Sequence, residues 1–372
     1  MKILHVYKDF DPPVHGGIEQ HMALMCRYQR QWADVAALTC SRTGRTQAVE
    51  RDGTTVHEVA ELGRALSAPL SPTFPRHLRR LAGDVTVLHL PNPTAELSWL
   101  VAQPRGTLIV RYHSDVVRQA RTMRFYGPFQ MQLLKQAAMI LPTSQPYLDT
   151  SPMLQPFRAR CRVVPLGVAP DRFAQPDAMR VAALRAQYGD RFVLFSGRHR
   201  YYKGLAVLVS AAAHIGAPVV IAGDGPERPA LMEQAAKLGV PVHFPGVLED
   251  ADLVAHLHAC TVFAFPSIAR SEAFGLSILE AHACGKPVVA TTLGTGVEVV
   301  NLHGQTGLNV APCDADALAN AVNDLLDDTA RAKSMGNFAR ERVQAEFNAE
   351  RVARREFELY EEVRACPLAS KR

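Results

Sequence analysis

No two of the chain's seven cysteines form a C-x-x-C pair; they are scattered at Cys26, Cys40, Cys161, Cys260, Cys284, Cys313 and Cys366. An odd number at such spacings argues against a disulfide framework and for free thiols in a reducing compartment. No apolar run reaches the ~18 residues that a membrane-spanning helix needs. Strand-like text begins at Lys2 with no apolar leader ahead of it, so neither a spanning segment nor a signal peptide is expected. The dinucleotide fingerprint G-x-G-x-x-G is missing. No nucleic-acid motif occurs, and the basic residues are not interleaved with aromatics, so no nucleic-acid partner is expected.

What is present is a globular composition, with 48% hydrophobic and 21% charged residues. The length of 372 residues is too great for one ordinary core and predicts two domains. The net charge of +5 is uneven. Residues 1–170 hold 20 basic against 12 acidic residues, and the remainder 21 against 24. That asymmetry suits an anionic surface or acceptor near the first half, although ordinary surface variation would produce it too.

Short β-rich runs at residues 3–7, 84–90 and 107–113 alternate with helical patterns, the first over 18–30. The second half repeats the scheme, with buried-strand runs at 192–197, 219–223, 261–267 and 286–291. Helical segments at 203–214, 226–238, 249–258 and 275–284 separate them. This alternation predicts an α/β protein with doubly wound parallel sheets. A strand pattern ends at VVPLGV (163–168), and the stretch APDRFAQPDAMR after it marks the domain boundary. The expected division is 1–168, 169–345, and a charged C-terminal helix over 346–372 that packs back on the first domain. The stretch 330–363 is helical in periodicity and rich in charge.

The segment ARSEAFGLSILEAHACGKPVVAT (269–291) carries the most chemistry. Glu272 precedes a helix start at Phe274, Gly275 and Leu276, where free backbone N–H groups and a glycine let a phosphate approach. A carboxylate there would accept sugar hydroxyls, and Glu280, two turns on, would reach a ribose. The alternative is that Glu272 complements the helix dipole and Glu280 lies on the surface; the apolar context SILEAHAC weighs against a surface Glu280. In FSGRHRYYKG (195–204), Arg198 and Lys203 follow a strand end, where cations suit a diphosphate, or they belong to a solvated loop. Gly16 and Gly17 precede the first helix and offer a second close approach to phosphate, or an ordinary turn. Asp250-Ala251-Asp252 and Asp314-Ala315-Asp316 precede helical runs and are read as N-caps rather than metal ligands. His256, His258 and Cys260 fall on different helix faces and do not converge.

The combination resembles the family 4 glycosyltransferases of the GT-B fold. The matching pieces are P-x-x-x-G-G-I-E at 12–19, YHSD at 112–115, VVPLGV at 163–168 and SGR-x4-KG at 196–204. IAGDGP at 221–226, FPS at 265–267 and the E-x7-E pair Glu272 and Glu280 complete them, in the family's order. The resemblance implies two Rossmann-like domains facing each other across a cleft, with the donor in the second and the acceptor in the first. It implies retaining, metal-independent transfer of a hexose (mannose, glucose or N-acetylglucosamine) from a nucleotide diphosphate sugar, with no cofactor. Arg198 and Lys203 match its diphosphate pair, Glu272 the residue holding donor-sugar hydroxyls, and Glu280 the ribose ligand. Gly17 matches the N-terminal glycine near the donor phosphates, and His113 the active-site histidine near the donor sugar; Asp115 is a further candidate. Two other readings are an epimerase of the same fold and an idle sugar- or nucleotide-binding module.

The chain departs from the family pattern at 291–300, where Gly294-Thr295-Gly296 and Glu298 replace a Gly-Gly followed by Pro-Glu. The loop is read as small and flexible, leaving backbone contact with the donor open. Arg76, Arg79 and Arg80, with Arg118, Arg121, Arg124 and Lys135 among Met123, Phe125, Tyr126, Phe129 and Met131, suit either an anionic membrane surface or a core-facing helix with a solvated side. Relatives that extend oligosaccharides on polyprenyl diphosphates make a lipid-linked glycan the expected acceptor, and a cytoplasmic enzyme, peripheral on the inner membrane face, the expected setting.

Overall fold

The computed structural model describes residues 1–65, 68–115 and 120–365. The chain divides into two units, Met1–Leu166 together with the segment from Ala349 onward, and Gly167–Asn348. The divisions at 166/167 and 348/349 differ slightly from the 168 and 345 expected from the sequence. The isolated bridge between Val168 and Asn348 ties both connectors to the second unit.

The first unit is built on a seven-stranded sheet. In spatial order its strands are Gln47–Arg51, Thr54–Ala60, Asp34–Ser41, Lys2–Val6, Val85–Leu90, Thr107–Tyr112 and Met139–Pro142. All neighbours are parallel except the first pair. The order reverses between Lys2–Val6 and Val85–Leu90, the place where open α/β sheets bind ligands. Strand Val85–Leu90 is buried throughout, which is why it reads as a mainly apolar run, interrupted by the buried polar residues Thr86 and His89.

The second unit holds six parallel strands in the order Val242–Gly246, Val219–Ala222, Val193–Ser196, Val262–Phe265, Val288–Thr291 and Gly307–Val310. Its reversal falls between Val193–Ser196 and Val262–Phe265. Helices Leu205–Ala211 and Ala315–Asp327 contribute Leu205, Leu208, Val209, Leu318, Val322 and Leu325 to a core with Val193, Phe195, Val219 and Ile221.

Three sequence expectations change. Residues 163–167 form no strand, because Pro165 has no N–H to pair; they run as an extended connector beside Met139–Pro142, with Val164 N–H donating to the Pro142 carbonyl at 3.0 Å. The helical stretch over 330–363 is resolved into two helices, Thr329–Glu346 and Ala349–Ala365. The break is pinned by Val168 N–H donating to the Phe347 carbonyl at 2.9 Å and by burial of the Phe347 ring against Phe274. The second of these helices lies along Gly17–Gln29 and adds Val352, Phe357 and Tyr360 to the first unit's core. Finally, Asp250 and Asp252 do not cap: the N-cap of Asp250–Ala259 is Glu249, and the two aspartates pair with Arg172 and Arg180. Asp314 does cap, accepting from Ala317 N–H at 2.8 Å.

All six described cysteines are free, and only Cys313 is exposed. Among the described residues no helix is long and apolar enough to cross a membrane.

Candidate active site

In the second unit the two strands at the sheet's reversal each end in a loop that carries site residues. After Val193–Ser196 the chain passes the exposed Arg198 and makes a tight turn over Tyr201–Lys203. Gly204 then sits at φ +64°, and a Cβ there would lie 2.0 Å from the Pro266 carbonyl oxygen. A side chain is therefore excluded both by backbone conformation and by space. This close approach joins the turn to the loop after Val262–Phe265, and Ile268 N–H donates to the Tyr202 carbonyl at 2.8 Å.

The result is an ion pair. Lys203 Nζ stands 2.5 Å from Glu272 Oε2, 4.8 Å above the centre of the Phe265 ring and 5.5 Å from that of Tyr202. Ser267 Oγ lies 3.4 Å from the same carboxylate oxygen. Burial alone would lower the Lys203 pKa, but the Glu272 carboxylate outweighs it and holds the ammonium above its ordinary value. Burial raises the Tyr202 hydroxyl, while Lys203, Arg198 and Arg200 pull it down, so the turn carries a clustered positive field.

Helix Leu276–Ala283 starts four residues beyond Glu272. Its N-cap, Gly275, has φ +91° and no side chain bonds to the first turn. The buried Phe274 ring meets Phe347 edge-on, with centroids 6.1 Å apart. Leu276 is half-buried. Glu280 is buried as its apolar context implied, and its partner is Arg172, at 3.6 Å, which also donates to Asp250. A cationic turn beside a helix start without a side-chain cap is an arrangement suited to a diphosphate.

The loop after Val288–Thr291 is not the flexible spacer expected. Glu298 accepts from the N–H groups of Leu293, Gly294 and Thr295 at 2.7, 2.5 and 3.3 Å. Thr295 Oγ1 donates to the Glu272 carbonyl at 2.9 Å. The half-buried Glu298 carboxylate thus takes amides that the sequence left open for a donor, and Thr295 ties the loop to the Glu272 backbone.

In the first unit His113 closes a row of buried imidazoles. His5, His89 and His113 stand at or just beyond the carboxyl ends of three adjacent parallel strands, Lys2–Val6, Val85–Leu90 and Thr107–Tyr112. His5 Nδ1 and His89 Nε2 are 3.0 Å apart, as are His89 Nδ1 and His113 Nε2, and His5 Nε2 lies 2.9 Å from Gln29 Oε1. His21, on helix Gly17–Gln29, packs edge-on against His113 and lies 3.4 Å from Glu356 Oε1. Arg111, fully buried, approaches Glu356 Oε1 to 3.0 Å and donates to the Leu141, Val164 and Pro165 carbonyls.

Burial would raise the Glu356 carboxyl, but Arg111 and His21 bring it down to about 2. Burial lowers all four histidines, His5 to about 4, so the imidazoles are neutral at pH 7. Each of His21, His89 and His113 can offer a ring nitrogen within 4.8 Å of the other two, the set among the described residues that would suit a metal ion. The Arg111 Nε, 3.2 Å from His21 Nε2, is a fixed positive charge opposing one.

The sequence had singled out His113 alone from this group. The signal for the others was a polar residue inside each apolar strand run, His5, His89 and Arg111, which demands a buried partner. Glu356 gave no local signal, since it lies in a charge-rich stretch, RREFE at 354–358. Asp115 is held locally, accepting from Tyr112 and Ser151 hydroxyls at 2.7 Å each. Gly16 is the extended N-cap of helix Gly17–Gln29, without a side-chain cap, and Gly17 is exposed. His256, His258 and Cys260 each bond a different backbone carbonyl, those of Asp252, Phe173 and Leu257. Arg118 lies outside the described residues, as do the side chains of Arg121, Met123, Arg124 and Phe125.

Comparison with known proteins bears on both units. Residues 181–342 match the family described as glycosyl transferases group 1, and residues 16–167 the glycosyl transferase 4-like domain. The chain is 36% identical over 353 residues to the D-rhamnosyltransferase WbpZ of Pseudomonas aeruginosa, covering 94% of this chain and 93% of that protein. It is 33% identical over 356 residues to the O-antigen chain mannosyltransferase C of Escherichia coli, covering 94% and 95%. Among solved structures, the sucrose-phosphate synthase of Thermosynechococcus elongatus is similar with a TM-score of 0.82 at 24% identity, over 98% and 99% of the two chains. Anabaena HepE, solved in complex with UDP and glucose, is similar with a TM-score of 0.80 at 21% identity, over 97% and 100%. The chain therefore belongs to the group 1, family 4-like glycosyltransferases and has their GT-B fold of two Rossmann-like units.

Proposed function

We propose that this glycosyltransferase is a retaining enzyme of polysaccharide biosynthesis, which moves a hexose from a nucleotide diphosphate sugar to a glycan acceptor carried on a polyprenyl diphosphate. The observation that carries the reading is the Lys203–Glu272 pair at the second sheet's reversal, beside the start of helix Leu276–Ala283. Two relatives named as mannosyl- and D-rhamnosyltransferases support a donor sugar of the manno configuration, D-rhamnose being 6-deoxymannose.

In this reading Lys203, Arg198 and the N–H groups at Phe274, Gly275 and Leu276 take the charge that grows on the diphosphate as the glycosidic bond breaks. Glu272, held by Lys203, Ser267 and Thr295, accepts hydroxyls of the donor sugar, and Glu280 accepts those of the ribose. Gly16 and Gly17, at the start of the first unit's first helix, allow close approach to the donor phosphates, and His113 accepts a sugar hydroxyl. The attacking hydroxyl passes its proton to a departing phosphate oxygen, so no side chain acts as base and no metal is required.

For the acceptor, Arg76, Arg79 and Arg80 are exposed on helix Phe74–Leu81. The neighbouring helix Pro93–Ala102 exposes Leu97 and Val101, and Phe129 and Lys135 are exposed on Ala120–Gln136. Basic and apolar side chains together suit an anionic membrane surface. Flotation with anionic liposomes at low salt tests this, and failure to float removes it.

The transfer itself is tested by incubating the protein with nucleotide sugars, GDP-mannose first, with and without a lipid-linked glycan. Acceptor-dependent nucleotide release is expected. An epimerised donor would instead support an epimerase, and binding without turnover a binding module.

A further inference from the structure

The row of imidazoles in the first unit has a direction. Gln29 Nε2 donates to the Ala353 carbonyl at 3.5 Å, which turns Gln29 Oε1 toward His5. Reversing the amide would set its oxygen against a carbonyl oxygen. A carbonyl only accepts, so His5 must carry its proton on Nε2. A neutral imidazole has one N–H, which leaves His5 Nδ1 bare to accept from His89 Nε2–H. The same rule leaves His89 Nδ1 bare to accept from His113 Nε2–H. At the end of the row stands His113 Nδ1, buried and without a hydrogen-bond partner.

The neutrality that this logic needs is enforced by place. The rings are between 0 and 4% exposed, and the Arg111 guanidinium lies beside His21. The Glu356 carboxylate beside this cluster is engaged by Arg111, His21 and Tyr360.

We propose that Gln29, His5 and His89 act as positioning residues, a one-way relay that fixes His113 as its Nε2–H tautomer and reserves the Nδ1 lone pair for a sugar hydroxyl. The ligand half of this inference rests on the transferase reading above; the tautomer half does not. The relay conducts no proton onward, since it ends on an amide. Its effect is to make His113 an acceptor rather than a donor, and thereby to select a hydroxyl whose hydrogen points at the ring.

The test is nitrogen-15 NMR of the intact, histidine-labelled protein, which distinguishes the two tautomers ring by ring. In the wild type His5, His89 and His113 are expected as Nε2–H, with His113 Nδ1 shifting when methyl α-D-mannoside is added. In Gln29→Leu the end acceptor is gone, so the row loses its fixed direction and the Nδ1–H tautomer of His113 is expected to become populated. Turnover should then fall by up to about tenfold, the scale of one lost hydrogen bond. An Nδ1–H tautomer of His113 in the wild type overturns the relay. So does zinc chloride that shifts the His21, His89 and His113 nitrogens together and raises the melting temperature, since that would make the cluster a metal site. A His113 Nδ1 that ignores the sugar in a protein active as a transferase overturns the ligand half. Expected tautomers in a protein that turns over no nucleotide sugar leave the relay standing and count against the transferase reading.

Discussion

At the residue scale the two units use the same device, a cation and a carboxylate buried together, for different ends. Lys203 and Glu272 are each slightly open to solvent, 13% and 11%, whereas Arg111 and Glu356 are both at 0%. In the function proposed above, the first pair exchanges its partner for a ligand, whereas the second is sealed from solvent. Glu272→Ala is accordingly expected to lower turnover at least ~100-fold, the size of a lost transition-state contact, with little change in melting temperature. Lys203→Ala should raise donor KM and lower kcat together. Glu356→Gln leaves a buried guanidinium without its counter-charge and should cost about 3 kcal/mol of stability, read from urea denaturation. The sequence carried Arg198, Lys203, Glu272 and Glu280 because each sits in a short local motif beside a strand end or helix start. It could not carry Glu356 or Gln29, whose partners lie far along the chain, 245 residues from Arg111 and 24 from His5.

At the scale of elements, the turn Tyr201–Lys203 and the loop after Val262–Phe265 are locked by one glycine. Gly204→Ala would force a side chain into a left-handed conformation and against the Pro266 carbonyl. A loss of about 1–3 kcal/mol is expected from the backbone alone, together with weaker donor binding as Lys203 is displaced. Thermal melting and donor titration of the same variant measure both. Central strands such as Val193–Ser196 and Val85–Leu90 were legible because burial on both faces leaves a mainly apolar run. Edge strands were not: Val242–Gly246 alternates half-buried and exposed residues, and Gln47–Arg51 is mostly exposed and polar. The helix break at Phe347 was hidden as well, because a tertiary hydrogen bond from Val168, rather than a glycine or proline, sets it.

At the scale of the whole molecule, neutral buried histidines make stability depend on pH. Burial holds His5 near 4, and burial with the nearby Arg342 holds His282 near 3, against 6.5 in the unfolded chain. As pH falls below 6.5 the unfolded chain takes these protons first, so stability drops by about 1.4 kcal/mol per pH unit for each such histidine. Glu356, lowered to about 2 from 4.5, adds a stabilising contribution that is whole above 4.5 and fades as pH falls toward 2. Calorimetric melts at pH 7.5, 6 and 5 should therefore show a steady fall, and an unchanged melting temperature from 7.5 to 5 would refute it. The helix Ala349–Ala365 has a consequence for biogenesis. A ribosome makes the first unit's other strands and helices, then all of the second unit, and only then the segment bearing Glu356, Phe357 and Tyr360. The earliest part of the chain to emerge must wait with Arg111 and the apolar side of Gly17–Gln29 uncovered, so the later unit is the first to mature on the nascent chain.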